Sequence, residues 1–319
     1  MTYFDVFNGD ADGICALLQL RQAEPRDSTL VTGVKRDIQL LSRVAPSGDA
    51  GVCVLDVSLD KNREALEALL SAGASVFYCD HHFAGEIPKH DGLDALINTA
   101  PDVCTSLLVN GRLGGQFAHW AVVGAFGDNL DASAEAVART LDLDADTLDL
   151  YRRLGVYINY NGYGAALEDL HFHPAELYQL MSCYAEPRQF VADAAASFER
   201  LEAGYQQDMA SAEALSPSWE HDCAKVFTLP EAAWSRRVSG VFGNALANSD
   251  PRRAHAVLTE KRNGNLLVSV RAPLADKRDA DTICRQFETG GGRAAAAGIN
   301  DLPASELPRF YALLASTYG

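Results

Sequence analysis

Two imidazoles and a carboxylate stand side by side in Asp80-His81-His82, directly after the apolar segment Ala74–Cys79. Adjacent histidines after a buried strand are costly to desolvate unless they have partners. Acidic side chains follow other apolar segments in the same way: Asp10, Asp12, Asp56 and Asp128. A group of Asp oxygens with one or two His is suited to hard divalent cations.

Short apolar strands that alternate with helical stretches must position these groups. Strands are predicted at Tyr3–Phe7, Ser28–Val34, Gly51–Val57 and Ala74–Cys79. This alternation predicts an α/β fold with a doubly wound, mainly parallel sheet. The carboxyl ends of such strands line one crevice, so we expect the acidic and imidazole groups to converge there. The run Ala121–Gly127 before Asp128 is strand-like, although the longer stretch Gly115–Asn129 also fits a helix.

The order of these motifs resembles the DHH phosphoesterase superfamily, which includes RecJ exonucleases, short-oligonucleotide hydrolases and manganese pyrophosphatases. The first four motifs match, in order, Asn8-Gly-Asp10-Ala-Asp12-Gly13, Val54-Leu-Asp56, Asp80-His81-His82 and Gly127-Asp128. Near the other end, Gly290–Gly298 is similar to the glycine-rich signature of the associated DHHA1 domain.

The resemblance implies two divalent cations, with Mn²⁺ favoured, while the ligand types also allow Mg²⁺. Asp10 and Asp12 would each hold a different ion, Asp56 would bridge them, and His81 and Asp128 would complete the set of ligands around the second ion. The implied catalytic groups are Asp56, Asp80, which orients an imidazole, and His82, which contacts the substrate phosphate. Asn8 stands where many members have His or Asp, so its neutral oxygen would be a weak ligand.

Three segments organise the chain. Residues 1–188 are predicted to form the metal-binding DHH domain, residues 189–215 a helical linker, and residues 216–319 a smaller α/β domain of the DHHA1 type. Within the last segment, Asn263-Gly264 fits the turn of a β-hairpin. By resemblance, this domain would bind the other end of the substrate.

Candidate substrate-binding residues are less specific. Gly290, Gly291, Gly292 and Arg293 precede a stretch that looks helical, and a glycine loop before a helix can offer backbone N–H groups to an anion. The alternative is a turn that permits close packing. Weaker candidates are Arg271 and Arg237, which could instead be solvated. The hydroxyls of Thr105 and Ser106 could bond substrate or a ligand carboxylate, or could simply cap a helix.

Charge favours a short substrate. The net charge is −16, and the first 215 residues carry 14 basic and 32 acidic side chains, a balance of −18. Such a body repels a long polyanion. We therefore expect hydrolysis of short oligonucleotides or dinucleotides such as pGpG to mononucleotides by metal-activated water. The alternatives are a RecJ-like single-strand exonuclease, which needs a basic channel, and a nucleotide-sensing binding module with a degenerate metal site, which Asn8 would favour.

The compartment is inferred from features that the sequence lacks. No apolar run reaches the roughly 20 residues needed to span a bilayer, and no secretory signal is visible. The seven cysteines are scattered without CxxC pairs, which is typical of a reducing environment. We expect a cytoplasmic protein; whether it forms a homodimer is left open.

Overall fold

The computed structural model describes all 319 residues, Met1–Gly319. The chain divides into two compact units, Met1–Glu202 and Ala203–Gly319. Their boundary falls within the segment 189–215 that the sequence predicts as a helical linker, and that segment is largely helical. No helix is both long enough and apolar enough to cross a membrane.

A five-stranded parallel sheet forms the centre of the first unit. Its strands are β1 Thr2–Phe7, β2 Thr29–Val31, β3 Ala50–Leu55, β4 Ser75–Asp80 and β5 Leu93–Ile97. The order is β2-β1-β3-β4-β5, and every neighbouring pair is parallel. The predicted doubly wound sheet is confirmed, with β5 as a strand that the sequence did not reveal. The strand order reverses between β1 and β3, which is where a ligand crevice opens in such sheets.

Eight helices accompany this sheet and lead into a ninth. They are α1 Ala11–Ala23, α2 Leu59–Ser71, α3 Thr105–Arg112, α4 Ala118–Gly127, α5 Asp131–Arg139, α6 Ala145–Gly162, α7 Pro174–Met181, α8 Pro187–Asp193 and α9 Ala195–Glu213. The central strand β3 is buried at all six positions, as expected for a parallel strand covered on both faces.

The apolar run before Asp128 is helical, so its strand-like interpretation is wrong and the helical prediction for the longer stretch is right. Nine of the ten residues of α4 are buried, His119 being the exception. In a segment that is buried on nearly all sides, apolar residues occur at almost every position, so their spacing does not distinguish a helix from a strand.

The second unit has a six-stranded mixed sheet. Its elements are β6 Trp219–His221, β7 Ala224–Leu229, α10 Ala233–Ser249, β8 Ala254–Glu260, β9 Leu266–Arg271, α11 Ala280–Cys284, β10 Gly290–Gly292, β11 Ala296–Leu302 and α12 Leu307–Tyr318. The sheet order is β10-β11-β9-β8-β7-β6. The predicted hairpin is confirmed, because β8 and β9 pair antiparallel around Asn263-Gly264 and Gly264 has a φ of +80°.

The glycine-rich segment forms strands rather than a loop and a helix. Gly290–Gly292 pairs antiparallel with β11, so the helix predicted after Arg293 is wrong. Steric fit explains two of the glycines: a Cβ at Gly290 would lie 1.7 Å from the Cys284 carbonyl oxygen, and one at Gly292 would lie 2.4 Å from Ala297 Cα. The packing alternative therefore accounts for these positions.

Candidate metal centre

The first motif is held between β1 and α1. Asn8 follows the last residue of β1, and Asp10 is the N-cap of α1, where its Oδ1 accepts a hydrogen bond of 3.1 Å from the Gly13 N–H. Asp12 lies in the first turn of that helix. All three side chains are buried. The helix start thus directs two carboxylates and one amide toward the carboxyl end of the sheet.

The other motifs arrive at the same edge. Asp56 follows β3, with a left-handed backbone at φ +58°, and Asp80 ends the neighbouring strand β4 just before His81. Asp128 reaches the centre as the C-cap of α4. The carboxyl ends of β1, β3 and β4 are neighbours, which is why these residues meet.

Three carboxylates surround the His81 ring. Its Nε2 lies 3.3 Å from Asp56 Oδ1, 3.9 Å from Asp12 Oδ2 and 3.9 Å from Asp128 Oδ2. The other ring nitrogen, Nδ1, is 3.0 Å from the Val103 carbonyl oxygen, to which it must donate. This contact leaves the lone pair of Nε2 directed at the carboxylates, the arrangement usual for a histidine that binds a metal.

Thr105 and Ser106 fix the ligand carboxylates. Their backbone N–H groups each donate to one oxygen of Asp12, both at 2.7 Å, and the Thr105 hydroxyl donates to Asp56 Oδ1 at 3.2 Å. Both side chains are fully buried. The Thr105 hydroxyl thus bonds a candidate ligand carboxylate, one of the roles that the sequence suggested for these residues. Helix capping by the two hydroxyls is wrong, since Cys104 is the N-cap of α3.

His82 lies beside the ligand group and is more open to solvent. Its Nδ1 is 2.7 Å from Asp80 Oδ1, and 37% of its side chain is exposed, whereas Asp80 is fully buried. Burial would lower the pKa of His82, but the hydrogen bond and charge of Asp80 raise it above the usual value. The imidazole that Asp80 contacts is therefore His82, and His82 is the histidine that presents a surface to solvent.

Asp56 and Asp10 experience opposite electrostatic effects. Burial raises the pKa of Asp56 well above its usual range, and the charges of Asp12 and Asp10 raise it further. Burial acts in the same direction on Asp10, but the charge and hydrogen bond of Lys35 lower the pKa of that carboxyl. The pKa of Asp56 is thus raised by burial and by nearby negative charge, which a bound cation would offset.

Unsatisfied atoms test whether a divalent cation fits. The buried oxygens Asn8 Oδ1, Asp80 Oδ2 and Asp128 Oδ2 have no hydrogen-bond partner. Asp56, His81 and His82 each offer one ligand atom within 4.8 Å of the others. Carboxylate oxygens with one or two imidazoles suit Mn²⁺ or Mg²⁺. The residues present therefore fit such an ion.

Lys35 is a member of this centre that the sequence did not reveal. It follows β2, and its Nζ lies 2.5 Å from Asp10 Oδ2 and 3.9 Å from Asp128 Oδ1. No motif marks it, because a single lysine in a loop has no characteristic spacing. The contact with the first motif spans 25 residues of sequence.

The candidate substrate-binding arginines of the second unit differ in whether their charge is already paired with a carboxylate. Arg293 is exposed. Arg271 donates to Asn244 Oδ1 at 2.7 Å and to the carbonyl oxygens of Val270 and Gly240, all uncharged acceptors. Arg237, in contrast, forms two hydrogen bonds with the buried Asp208 carboxylate, so its charge is already paired.

Comparison with known proteins reveals similarity in structure alone. No family model and no curated sequence matches the chain. An exonuclease RecJ bound to manganese is 18% identical, with a TM-score of 0.61 over 99% of this chain and 90% of that one. The pGpG-specific phosphodiesterase PggH from Vibrio cholerae is 16% identical, with a TM-score of 0.56 over 100% of both chains.

A third structure names the domain directly. The DHH domain of a member of the S1p family of ribosomal proteins is 12% identical, with a TM-score of 0.63 over 99% of this chain and 86% of that one. At such identities the likeness concerns the fold, and it extends over both units. The chain therefore shares the fold of these structures, one of which is a DHH domain, as the order of its motifs predicts.

Proposed function

We propose that this protein is a divalent-metal-dependent phosphodiesterase that cleaves short oligonucleotides or dinucleotides, such as pGpG, into mononucleotides. One observation carries the proposal: carboxylate oxygens of Asp12, Asp56 and Asp128 lie within 3.9 Å of the His81 Nε2. Acidic and imidazole groups from separate chain segments thus meet at the crevice of the sheet, which supports a metal site there.

A divalent cation at this centre would polarise a phosphoryl oxygen and make a water molecule acidic enough to attack phosphorus. Manganese is the expected ion, since the similar RecJ exonuclease was obtained with it. In this chain, Asp12, Asp56, His81 and Asp128 would hold the ion. His82, fixed by Asp80 and partly exposed, would donate a hydrogen bond to the phosphate and stabilise its developing charge.

Charge supports a short substrate. The net charge of −18 on residues 1–215 disfavours contact with many successive phosphates of a long strand. The similar pGpG-specific phosphodiesterase has a chain covered over its whole length by this one. Arg271, held by uncharged acceptors, is proposed to bind an anionic group of the substrate, and the exposed Arg293 is a second candidate.

Initial rates on strands of two to about twenty nucleotides with Mn²⁺ test this proposal. We expect the fastest hydrolysis on dinucleotides, abolished by chelator and by His81→Ala. His90→Ala is the matched control, because His90 is an exposed histidine outside the centre. A rate that rises with strand length would contradict the short-substrate proposal, and full activity in His81→Ala would contradict the metal-dependent one.

A single-strand exonuclease is the second candidate, favoured by the similarity to RecJ. It predicts the opposite length dependence and a rate that falls steeply with added salt, as contacts with several phosphates are screened. The same strand series at two salt concentrations therefore separates the candidates. A nucleotide-sensing module would bind pGpG but show no turnover with Mn²⁺ in any arm.

A further inference from the structure

Lys35 occupies part of the centre that the motifs assign to a metal ion. Its ammonium lies 2.5 Å from Asp10 Oδ2 on the side formed by Asn8 and Asp10, which we call the Asp10 side. It also lies 3.9 Å from Asp128 Oδ1. In the motif pattern this side would receive one of two divalent cations. The chain itself thus places a positive charge there.

Several contacts fix Lys35 in this position. Its Nζ donates to Asn159 Oδ1 at 2.8 Å, and its backbone N–H donates to the Gly162 carbonyl oxygen at 2.7 Å, both on α6. Its own carbonyl accepts from the Asn8 amide at 3.3 Å. Only 21% of the side chain is exposed. Hydrogen bonds of both its backbone and its side chain therefore hold Lys35 in the centre.

The other side of the centre has no such lysine. Asp12, Asp56 and Asp128 surround the His81 Nε2, and backbone N–H groups orient the Asp12 oxygens. We call these four residues the His81 side. It offers three carboxylates and an imidazole whose free nitrogen faces them. This is a sufficient set of protein ligands for one divalent ion.

Charge argues against filling both sides with metal. A divalent ion next to Asp10 would lie within a few ångströms of the Lys35 ammonium, where like charges repel strongly because water is largely excluded. The remaining ligand on that side, Asn8, supplies a neutral oxygen instead of an imidazole or a carboxylate. The Asp10 side thus offers weaker ligands to a metal ion, and the Lys35 ammonium already neutralises part of its negative charge.

We propose that the centre binds one divalent cation on the His81 side, and that the Lys35 ammonium takes the place of a second ion beside Asp10. The inference rests on the proposed function in so far as both concern the same site. Lys35 would then supply the second positive charge against a bound phosphate. This departs from the two ions that the motifs alone predict.

Counting bound Mn²⁺ in the absence of substrate tests the inference. Chelator-treated protein is titrated with Mn²⁺, and free ion is followed by its electron paramagnetic resonance. We expect one ion per wild-type chain with the six-line signal of an isolated Mn²⁺. In Lys35→Met, which keeps the length of the side chain but removes its charge, we expect a second ion to bind at least tenfold more tightly than in the wild type. The two ions should then show a coupled signal.

Lys61→Met is the matched control, since Lys61 is exposed and pairs only with its neighbour Asp60. It should keep one ion. Two tightly bound ions in the wild type, or none, would overturn the inference, and this measurement stands even if Lys35→Met fails to fold. A wild type that binds two ions and hydrolyses pGpG refutes this inference alone. One bound ion without hydrolysis refutes the proposed function alone.

Discussion

His81 and His82 are adjacent in the sequence but differ in their contacts and in their exposure to solvent. The Nε2 of His81 faces three carboxylates, whereas His82 is held by Asp80 and is partly open to solvent. A ring that is both fixed and accessible suits contact with a substrate phosphate. The two histidines should therefore respond differently to substitution.

We expect His82→Gln to lower turnover of a dinucleotide by roughly 10²–10³-fold, because a donor to the developing phosphate charge is lost. Mn²⁺ affinity should change little. His81→Gln should lose affinity for Mn²⁺ as well. Parallel measurement of turnover and of Mn²⁺ binding checks both variants, and equal loss of metal affinity in the two would contradict the separate roles.

His255 on β8 predicts a pH-dependent stability away from the candidate centre. Burial lowers the pKa of this histidine from 6.5 to about 4, with Asp250, Lys225 and Arg253 as the nearby charges. Below pH 6.5 the unfolded chain binds a proton that the folded chain does not, so stability falls as the pH drops from 6.5 toward 4. Across that range the loss due to His255 is at most about 3 kcal/mol.

Denaturant unfolding of wild type and His255→Leu at pH 7.5 and pH 4.5 measures this effect. The wild type should lose more stability on acidification than the variant, because leucine takes up no proton. Other acid-sensitive groups act equally in both proteins and cancel in the comparison. An identical pH dependence in the two proteins would show that His255 does not contribute.

At the scale of elements, helices α1, α4 and α6 meet at glycines. A Cβ on Gly127 would lie 2.2 Å from the Ala11 Cβ and 2.9 Å from the Gly155 carbonyl oxygen. Gly127 directly precedes Asp128, so the close approach of these helices also sets the position of a candidate ligand. Packing and site geometry are therefore linked at this residue.

Gly127→Ala should destabilise the protein by roughly 1–3 kcal/mol, because an overpacked core must shift to admit the methyl group. Gly111→Ala on α3 is the matched control: a Cβ there meets nothing within 4 Å. That change should be neutral or stabilising by up to about 1 kcal/mol. Thermal unfolding distinguishes them, and equal stability of the two variants would contradict the packing argument.

The sequence predicted elements well where one physical signal dominated. Alternating strands and helices, with acidic residues at strand ends, were enough to foresee the sheet and the close approach of Asp12 and Asp56 to His81. Prediction failed where signals were ambiguous. A nearly uniformly apolar helix such as α4 has no visible period, and Gly290–Gly292 fits both a loop and an edge strand.

Lys35 could not have been predicted for a different reason. Its partners lie 25 residues away at Asp10 and 124 residues away at Asn159, and neither contact leaves a local pattern. Such long-range polar contacts depend on the completed fold. Motifs identify which ligands are present, but they do not show which other charged groups share the space.

For the molecule as a whole, the net charge of −16 makes a bound cation important for stability. Mn²⁺ at about 100 times its dissociation constant should stabilise the folded state by about 2.7 kcal/mol. For a unit of this size, that corresponds to a rise of roughly 5–10 °C in the Tm of the first unit. His81→Ala should abolish the rise in a thermal scan with and without Mn²⁺, whereas His90→Ala should retain it; an equal rise in both would point to ion binding elsewhere.

Asp56 holds its carboxylate on a left-handed backbone, a conformation that glycine adopts readily and other residues resist by roughly 1 kcal/mol or more. Glycine, however, would remove the carboxylate that lies 3.3 Å from the His81 Nε2. The residue that is most stable in this backbone conformation therefore differs from the residue that the proposed hydrolysis requires. Variants that are selected for heat resistance alone should therefore include stable chains that have lost the proposed activity.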